Sequence, residues 1–226
     1  MKTPLVLLSG LLSNESIWHH QTRHLSDIAD IRIISSSQDT PKAMVQAILD
    51  KAPPKFALAG HSMGGWLCLE IMKVAPSRVT QLCLLNTTAR MDSEEKRARR
   101  QKMVLQTEKG HFQEVVKELV ENLVCNPHVK HDVEKMFLDV GEEVFVHQQR
   151  AMIARDECQS ILPHIICPTL VIHAAKDGFF SFEEQRELVD QIQNAKLAVV
   201  EDSGHMSLIE MPQAITALLK FWLTYF

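Results

Sequence analysis

Six short runs of the chain are continuously apolar, and polar or turn-forming residues bound each of them. A strand that is covered on both faces has this pattern, whereas a strand with one wet face alternates apolar and polar side chains. The runs therefore predict a mostly parallel sheet with strands buried on both faces. They are Pro4–Ser9, Ile31–Ser35, Phe56–His61, Gln81–Asn86, Thr169–Ala175 and Leu197–Glu201.

Helical patterns lie between these predicted strands. Two of them open with proline, at Pro41 and Pro212, and the fixed φ of proline suits the first helical position. Because strand and helix alternate along the chain, the fold class is predicted to be α/β. The predicted helices span Glu15–Ala29, Pro41–Lys51, Met63–Val74, Phe182–Gln193 and Pro212–Trp222.

The alternation is interrupted once, in residues 89–163. This segment opens with the charged run Met91–Arg100 and continues through amphipathic helical patterns at Phe112–Leu123 and Val129–Val140. We predict that residues 89–163 form a helical cap insertion and that residues 1–88 and 164–226 form one core. A charged run of this kind is typical of a solvated helix face, which we favour over an anion-binding role.

Composition narrows the class of protein. The 226 residues, 46% of them hydrophobic, supply one sizeable core. The net charge of −4 comes without a long basic block, so nucleic acid is not an expected partner. No run approaches the roughly 18 apolar residues of a membrane span, and we therefore expect a soluble protein with no membrane partner.

The cysteines and the first residues bear on location. The chain has five cysteines and no CxxC pair, which favours reduced thiols over disulfides or a zinc site. The apolar run after Lys2 fits a buried first strand better than a signal peptide, because no small-residue cleavage site follows it. A cytoplasmic protein is expected.

A glycine-flanked serine is the strongest chemical signal. Gly60-His61-Ser62-Met63-Gly64 follows a predicted strand and opens a predicted helix, as a GxSxG nucleophile turn requires. The glycines allow two backbones to approach, and the tight turn holds the hydroxyl clear of the sheet. Ser62 is therefore the predicted nucleophile.

A serine nucleophile needs a base, and the base needs a carboxylate. His205 lies just after the last predicted strand, and Asp177 follows the strand before it, so that the chain order is Ser, acid, His. Asp156 and Asp202 are alternative carboxylates, but neither follows the appropriate strand as closely. We predict a catalytic triad of Ser62, His205 and Asp177.

Two backbone amides are predicted to form an oxyanion hole. The Met63 N–H lies at the start of a helix, where the macrodipole adds to its field. The Leu11 N–H lies in the loop after the first strand, where Gly10 leaves room for a substrate oxygen.

Together these blocks resemble the α/β-hydrolase superfamily over nearly the whole chain, and most closely its small bacterial members with a helical cap. Two positions depart from the usual pattern, because Ser9 replaces a histidine before Gly10 and Ser181 replaces a proline after the acid. The chain also begins at the oxyanion-bearing strand, which implies a shortened N-terminal sheet edge. The matching blocks are Leu8–Leu12 with Trp18 and Gln21, Ala59–Gly65, Val171–Asp177, and Gly204-His205 with Glu210 and Pro212.

The resemblance implies a fold and a mechanism more than a substrate. We expect a serine hydrolase that acts on a small-molecule acyl substrate, with a carboxylic ester as the expected bond and with no cofactor or metal. Other reactions of the same fold remain open, namely C–C bond hydrolysis, lyase and cofactor-free haloperoxidase chemistry, as does a non-catalytic receptor. The oligomeric state is not indicated. Six apolar residues of the cap either line an acyl pocket or form the cap's core: Met103, Phe112, Met136, Phe137, Phe145 and Met152.

Overall fold

A computed structural model describes residues 2–226. The strands are β1 (Thr3–Leu8), β2 (Ala29–Ile34), β3 (Phe56–His61), β4 (Val79–Leu85), β5 (Thr169–Ala174) and β6 (Ala195–Val200). They form a six-stranded sheet in the order β2-β1-β3-β4-β5-β6, and all neighbouring strands are parallel. The predicted parallel α/β architecture is confirmed.

Burial differs between the centre and the edges of this sheet. All residues of β3 and β5 are buried, as the sequence predicts. In β2 and β6 most residues are only partly covered or exposed, so the prediction of two buried faces was wrong for these strands. Each has a partner strand on one side only, and the helices that flank the sheet cover the central strands most completely.

The helices largely follow the predicted bounds. Pro41 opens its helix as expected, and the Thr40 hydroxyl caps it by accepting a hydrogen bond from the Ala43 N–H. The predicted helix Glu15–Ala29 was too long, because a 3₁₀ turn precedes α1 and the chain already enters β2 at Ala29. The α-helices are α1 (His19–Leu25), α2 (Pro41–Lys51), α3 (Met63–Val74), α4 (Glu94–Glu108), α5 (Phe112–Leu123), α6 (Lys130–Val140), α7 (Glu142–Ile153), α8 (Phe182–Gln191), α9 (Ser207–Glu210) and α10 (Pro212–Tyr225).

Helices α4 to α7 follow one another between β4 and β5. The clearest amphipathic pattern belongs to α5, whose buried positions recur every three or four residues from Phe112 to Leu123. Its predicted bounds are those observed, whereas no separate pattern was predicted for α7. Most of its buried apolar residues join the same cluster as those of β1 and α10, whereas Ala151 and Met152 of α7 join the other cluster.

Two apolar clusters cover the two faces of the sheet. Side chains of a strand point alternately to opposite faces, so Leu5 and Leu7 join one cluster while Val6 and Leu8 join the other. Helices α1, α5 and α10 contribute to the first cluster, and α2, α3 and α8 contribute to the second. Within residues 2–226, no helix is long and apolar enough to cross a membrane.

Candidate active site

Ser62 occupies the turn between β3 and α3 in an uncommon backbone conformation. Its φ of 56° and ψ of −117° are unfavourable for a residue with a Cβ atom, so the surroundings must hold it there. The Ser62 N–H donates to the Leu85 carbonyl at 2.9 Å. The Thr87 hydroxyl donates to the Ser62 carbonyl at 2.8 Å. Both contacts come from β4 and the residues after it, which run alongside β3.

The glycines around Ser62 allow the close backbone approach that the sequence predicts. A Cβ atom added to Gly60 would lie 2.2 Å from the Gly64 carbonyl oxygen. One added to Gly64 would lie 2.3 Å from the carbonyl oxygen of Leu8 in β1. The turn, the start of α3 and the end of β1 therefore pack against one another without room for a side chain.

The structure brings the three predicted side chains into one hydrogen-bonded chain. His205 Nε2 lies 2.9 Å from Ser62 Oγ. His205 Nδ1 lies 2.8 Å from Asp177 Oδ2. An ionised carboxylate only accepts hydrogen bonds, so Nδ1 carries the proton and Nε2 is left to accept from the Ser62 hydroxyl. This order suits removal of the serine proton.

Asp177 is held ionised although it is buried. Burial by itself raises the pKa of this carboxyl, but His205 and two backbone N–H groups outweigh it and hold the pKa below its ordinary value. The Phe179 and Phe180 N–H groups both donate to Asp177 Oδ1, at 2.8 Å and 3.3 Å. One carboxylate oxygen is therefore fixed by the backbone, and the other is aimed at the imidazole.

The loop after Asp177 is restrained despite its missing proline. The Ser181 side chain caps α8 by accepting from the Glu184 N–H, and the Glu184 carboxylate accepts from the Ser181 N–H at 2.9 Å. The alternative carboxylates Asp156 and Asp202 are both exposed. Asp202 pairs with Lys176 at 3.0 Å. Asp177 is therefore the one of the three that contacts His205.

Two polar residues that the sequence did not single out hold the His205 backbone. His61 Nε2 donates to the His205 carbonyl at 2.7 Å, and the Asn86 amide donates to the same oxygen at 2.9 Å. Burial, together with the nearby His205, lowers the pKa of His61 to about 3, so this imidazole is neutral. His61 ends β3, and Asn86 directly follows β4. Their positions at the ends of predicted strands indicated that they lie near the site. The sequence did not indicate that both donate to the His205 carbonyl.

The predicted oxyanion loop is tied to the segment between β4 and β5. Leu11 and Met63 both line the cavity beside Ser62, and Met63 is the first residue of α3, where an N–H has no acceptor in its own helix. The neighbouring Leu12, at a φ of 53°, donates its N–H to Gln148 Oε1 at 2.9 Å. The Gln148 amide donates to the Ser36 carbonyl at 2.7 Å. Gln148 was not among the predicted site residues, and no separate pattern was predicted for the helix that carries it.

Ser62 and His205 open into a cavity of about 250 Å³. Six apolar residues of segment 89–163 were predicted either to line a pocket or to form a core. Of these, Met103, Phe137 and Met152 line the cavity. Phe112, Met136 and Phe145 are instead buried in the apolar core. Further lining residues are Gly10, Leu11, Ser13, His61, Met63, Leu119, Asn122, Leu123, Gly178, Phe179, Phe180 and Met206.

Part of the charged run Met91–Arg100 also faces this cavity. Lys96, Arg99 and Arg100 line it together with Asp92. The interpretation of the whole run as a solvated helix face was therefore incomplete, because a charged pattern does not say which way each side of the helix is turned. Within the chain that the structure describes, no group of three or more His, Cys, Asp or Glu side chains is arranged to hold a metal ion.

The family model described as "Alpha/beta hydrolase family" matches residues 5–218. The chain belongs to the α/β-hydrolase family. This α/β-hydrolase is 29% identical over 199 residues to the Mycobacterium tuberculosis protein named "Putative non-heme bromoperoxidase BpoC", covering 77% of this chain and 70% of that one.

Two solved structures share the fold of this α/β-hydrolase. The malate-bound thermophilic esterase from Thermogutta terrifontis matches with a TM-score of 0.89 at 23% identity, covering 99% of this chain and 90% of the other. The enol-lactonase from Burkholderia xenovorans matches with a TM-score of 0.87 at 21% identity, covering 99% and 92%. At these identities the likeness establishes the common fold.

Proposed function

We propose that this α/β-hydrolase is a serine hydrolase that cleaves a small carboxylic ester through Ser62, His205 and Asp177. The observation that carries the proposal is the continuous chain from Ser62 Oγ to His205 Nε2 at 2.9 Å and from His205 Nδ1 to Asp177 Oδ2 at 2.8 Å. A serine hydroxyl is a weak nucleophile until a neighbouring base accepts its proton. The arrangement supplies that base in the required tautomer.

In the proposed reaction, Ser62 Oγ attacks the ester carbonyl carbon while its proton passes to His205 Nε2. The resulting oxyanion is stabilised by the Leu11 and Met63 N–H groups. The tetrahedral intermediate collapses to an acyl-enzyme, and the alkoxide leaves as the alcohol with the proton from His205. Water then attacks the acyl-enzyme, gives a proton to His205, and releases the acid as Ser62 regains that proton.

We further propose that residues 89–163 act as a cap that covers this site and shapes its acyl pocket. Met103, Phe137 and Met152 give the cavity an apolar wall beside Ser62. Burial of an acyl chain against these side chains is favourable, because it removes apolar surface from water.

The names of the two solved relatives are consistent with an ester bond, since an esterase and an enol-lactonase both open one. The Mycobacterium tuberculosis relative favours a second candidate, bromoperoxidase chemistry at the same serine. Bromination of monochlorodimedone by hydrogen peroxide and bromide in acetate buffer measures that activity. A rate of bromination that exceeds ester hydrolysis would favour this second candidate.

We also infer a cytoplasmic location. The cysteines Cys68, Cys83, Cys125, Cys158 and Cys167 are free thiols, and such thiols persist in a reducing compartment. Fractionation of the producing cells with a periplasmic and a cytoplasmic marker enzyme measures the location directly.

The proposed function is tested with a fluorophosphonate probe and short p-nitrophenyl esters. We expect the probe to label Ser62 and the esters to be hydrolysed, and we expect Ser62→Ala to lose both while remaining folded. Ser16→Ala removes an exposed hydroxyl and serves as the matched control, which keeps both signals. A folded wild-type protein that neither reacts with the probe nor turns over an ester would overturn the proposal.

A further inference from the structure

Three cationic side chains line the wall of the cavity that contains Ser62. Lys96, Arg99 and Arg100 come from one turn of α4, where residues three and four positions apart share a helix face. Within residues 2–226, the carboxylate that lines the same cavity is that of Asp92. The cavity wall therefore carries an excess of positive charge.

Asp92 does not remove this excess, because it is already shared by two arginines. Arg100 Nε donates to Asp92 Oδ2 at 2.5 Å, and the buried Arg155 donates to Oδ1 at 2.6 Å. Burial alone raises the pKa of Asp92, but both arginines lower it below its ordinary value, so the carboxyl stays ionised. Arg100 also donates to Gln149 Oε1 at 2.9 Å, which holds its guanidinium in place.

Lys96 and Arg99 are directed over the loop that carries Asp177. The Lys96 ammonium lies 5.6 Å from the ring centre of Phe180, and the Arg99 guanidinium lies 5.7 Å from that of Phe179. Arg99 also pairs with Glu118 at 3.4 Å, but both side chains are exposed, so this pair is weak. The two cations thus lie beside the triad and are open to a ligand.

We propose that the ester taken by this cavity carries an anionic group, a carboxylate or a phosphate, which Lys96, Arg99 and Arg100 bind while the ester carbonyl lies at Ser62. The proposal rests on the proposed ester hydrolysis and specifies its substrate class. Guanidinium and ammonium groups form charge-assisted hydrogen bonds to such anions, and a cleft lined by one sign of charge concentrates the opposite sign. A neutral ester of the same shape lacks both effects.

The experiment compares monomethyl glutarate with methyl 4-carbamoylbutanoate, in which an amide replaces the free carboxylate at nearly constant size. We expect the wild-type kcat/KM to be at least about tenfold higher for the anionic ester than for the neutral ester. One charged hydrogen bond contributes about enough free energy for a tenfold difference. The double variant Lys96→Gln, Arg99→Gln should lower kcat/KM for the anionic ester by about tenfold to a hundredfold. The neutral ester should change by less than about threefold.

The matched control is Lys102→Gln, Lys109→Gln. It removes the same charge from α4 and the residue that follows it, at exposed positions outside the cavity lining. The control should leave both esters at wild-type rates. A uniform effect of net charge would lower the anionic rate equally in both double variants, and that result would overturn the proposal.

Binding separates failure of this inference from failure of the proposed function. Glutarate and ethyl phosphate are titrated calorimetrically into the wild-type protein and the Lys96→Gln, Arg99→Gln variant, and the two anions distinguish carboxylate from phosphate preference. Binding that is lost in the variant supports the anion site even if no ester is turned over. No binding of either anion, with no preference for the anionic ester, overturns the anion site, while labelling of Ser62 leaves the hydrolase proposal intact.

Discussion

The loops at the carboxyl ends of the strands and the helical segment 89–163 are built in different ways. In the strand-end loops, the groups that position Ser62, Asp177 and His205 are backbone amides, backbone carbonyls and buried polar side chains. These contacts come from the ends of neighbouring strands, from the loop after Asp177 and, at the His205 N–H, from the Leu123 carbonyl of α5. Small displacements there break several hydrogen bonds at once, so the geometry of these three side chains is held closely.

The segment 89–163 buries the apolar faces of its helices and leaves most of its charges exposed, although Lys96, Arg99 and Arg100 line the cavity and Asp92 and Arg155 are buried. Several of its ion pairs are exposed, including Lys135 with Asp139 and Arg150 with Glu108. It is also joined to the rest of the molecule by hydrogen bonds, both buried ones such as that from the Leu12 N–H to Gln148 and less buried ones such as those from the Cys125 and Asn126 N–H groups to Glu210. The two regions therefore differ in what they carry, because the strand-end loops carry Ser62, Asp177 and His205 and the segment supplies part of the wall of the cavity beside them.

The largest expected effect lies in the strand-end loops. Asp177→Asn should lower kcat by about 10⁴-fold with little change in KM, because an amide that donates to His205 selects the wrong tautomer. Steady-state kinetics on a p-nitrophenyl ester measure this loss. Asp202→Asn, at an exposed carboxylate paired with Lys176, should retain wild-type kinetics. Equal losses in the two variants would contradict the assignment of Asp177.

The next effect concerns Asp92 of the helical segment, which pairs with both Arg100 and the buried Arg155. Asp92→Asn leaves the buried Arg155 without its counter-charge and should cost about 3–5 kcal/mol of unfolding free energy. Asp139→Asn, in an exposed pair of the same segment, should cost less than about 0.5 kcal/mol. Urea denaturation of both variants measures the difference. Similar losses would show that this segment has no buried electrostatic anchor.

Glycine substitutions compare the two regions at the level of the backbone. Gly64→Ala should cost about 3 kcal/mol or more, because its Cβ would meet the Leu8 carbonyl oxygen at 2.3 Å. Gly110→Ala meets open space and should cost about 1–2 kcal/mol, from its φ of +87° alone. Gly178→Ala meets neither a close contact nor a positive φ, so it should change the free energy of unfolding little. Thermal denaturation should rank the three variants in this order.

The smallest effect is a pH dependence of stability that arises from His61. Its pKa of about 3 lies below the ordinary value of 6.5, so the unfolded chain binds the extra proton between these limits and stability falls as the pH drops. The contribution of His61 to the change of the unfolding free energy with pH approaches about 1.4 kcal/mol per pH unit. His61→Gln keeps a donor for the His205 carbonyl and should reduce the slope by that amount between pH 6 and pH 5. Parallel slopes for the two proteins would argue against a neutral His61.

Local patterns predicted most of the fold. The bounds of α2, α3, α5 and β3 are those expected from the sequence, because capping, proline position and apolar periodicity depend on residues within a few positions of one another. One failure is local, namely the excess length of the predicted helix Glu15–Ala29, whereas others involve distant parts of the chain. The exposure of β2 and β6 depends on which strands lie at the edges of the sheet, and that order does not appear in any single segment.

The sequence by itself determined the α/β class, the glycine-flanked turn at Ser62 and the candidates His205 and Asp177, since each is marked by a short motif next to a strand. Only the tertiary structure decided that His61 and Asn86 share the His205 carbonyl, because these contacts join residues more than a hundred positions apart. It also decided that Lys96, Arg99 and Arg100 of α4 line the cavity. The packing of α4 against its neighbours sets the rotation of the helix, and its charge pattern alone allows either orientation.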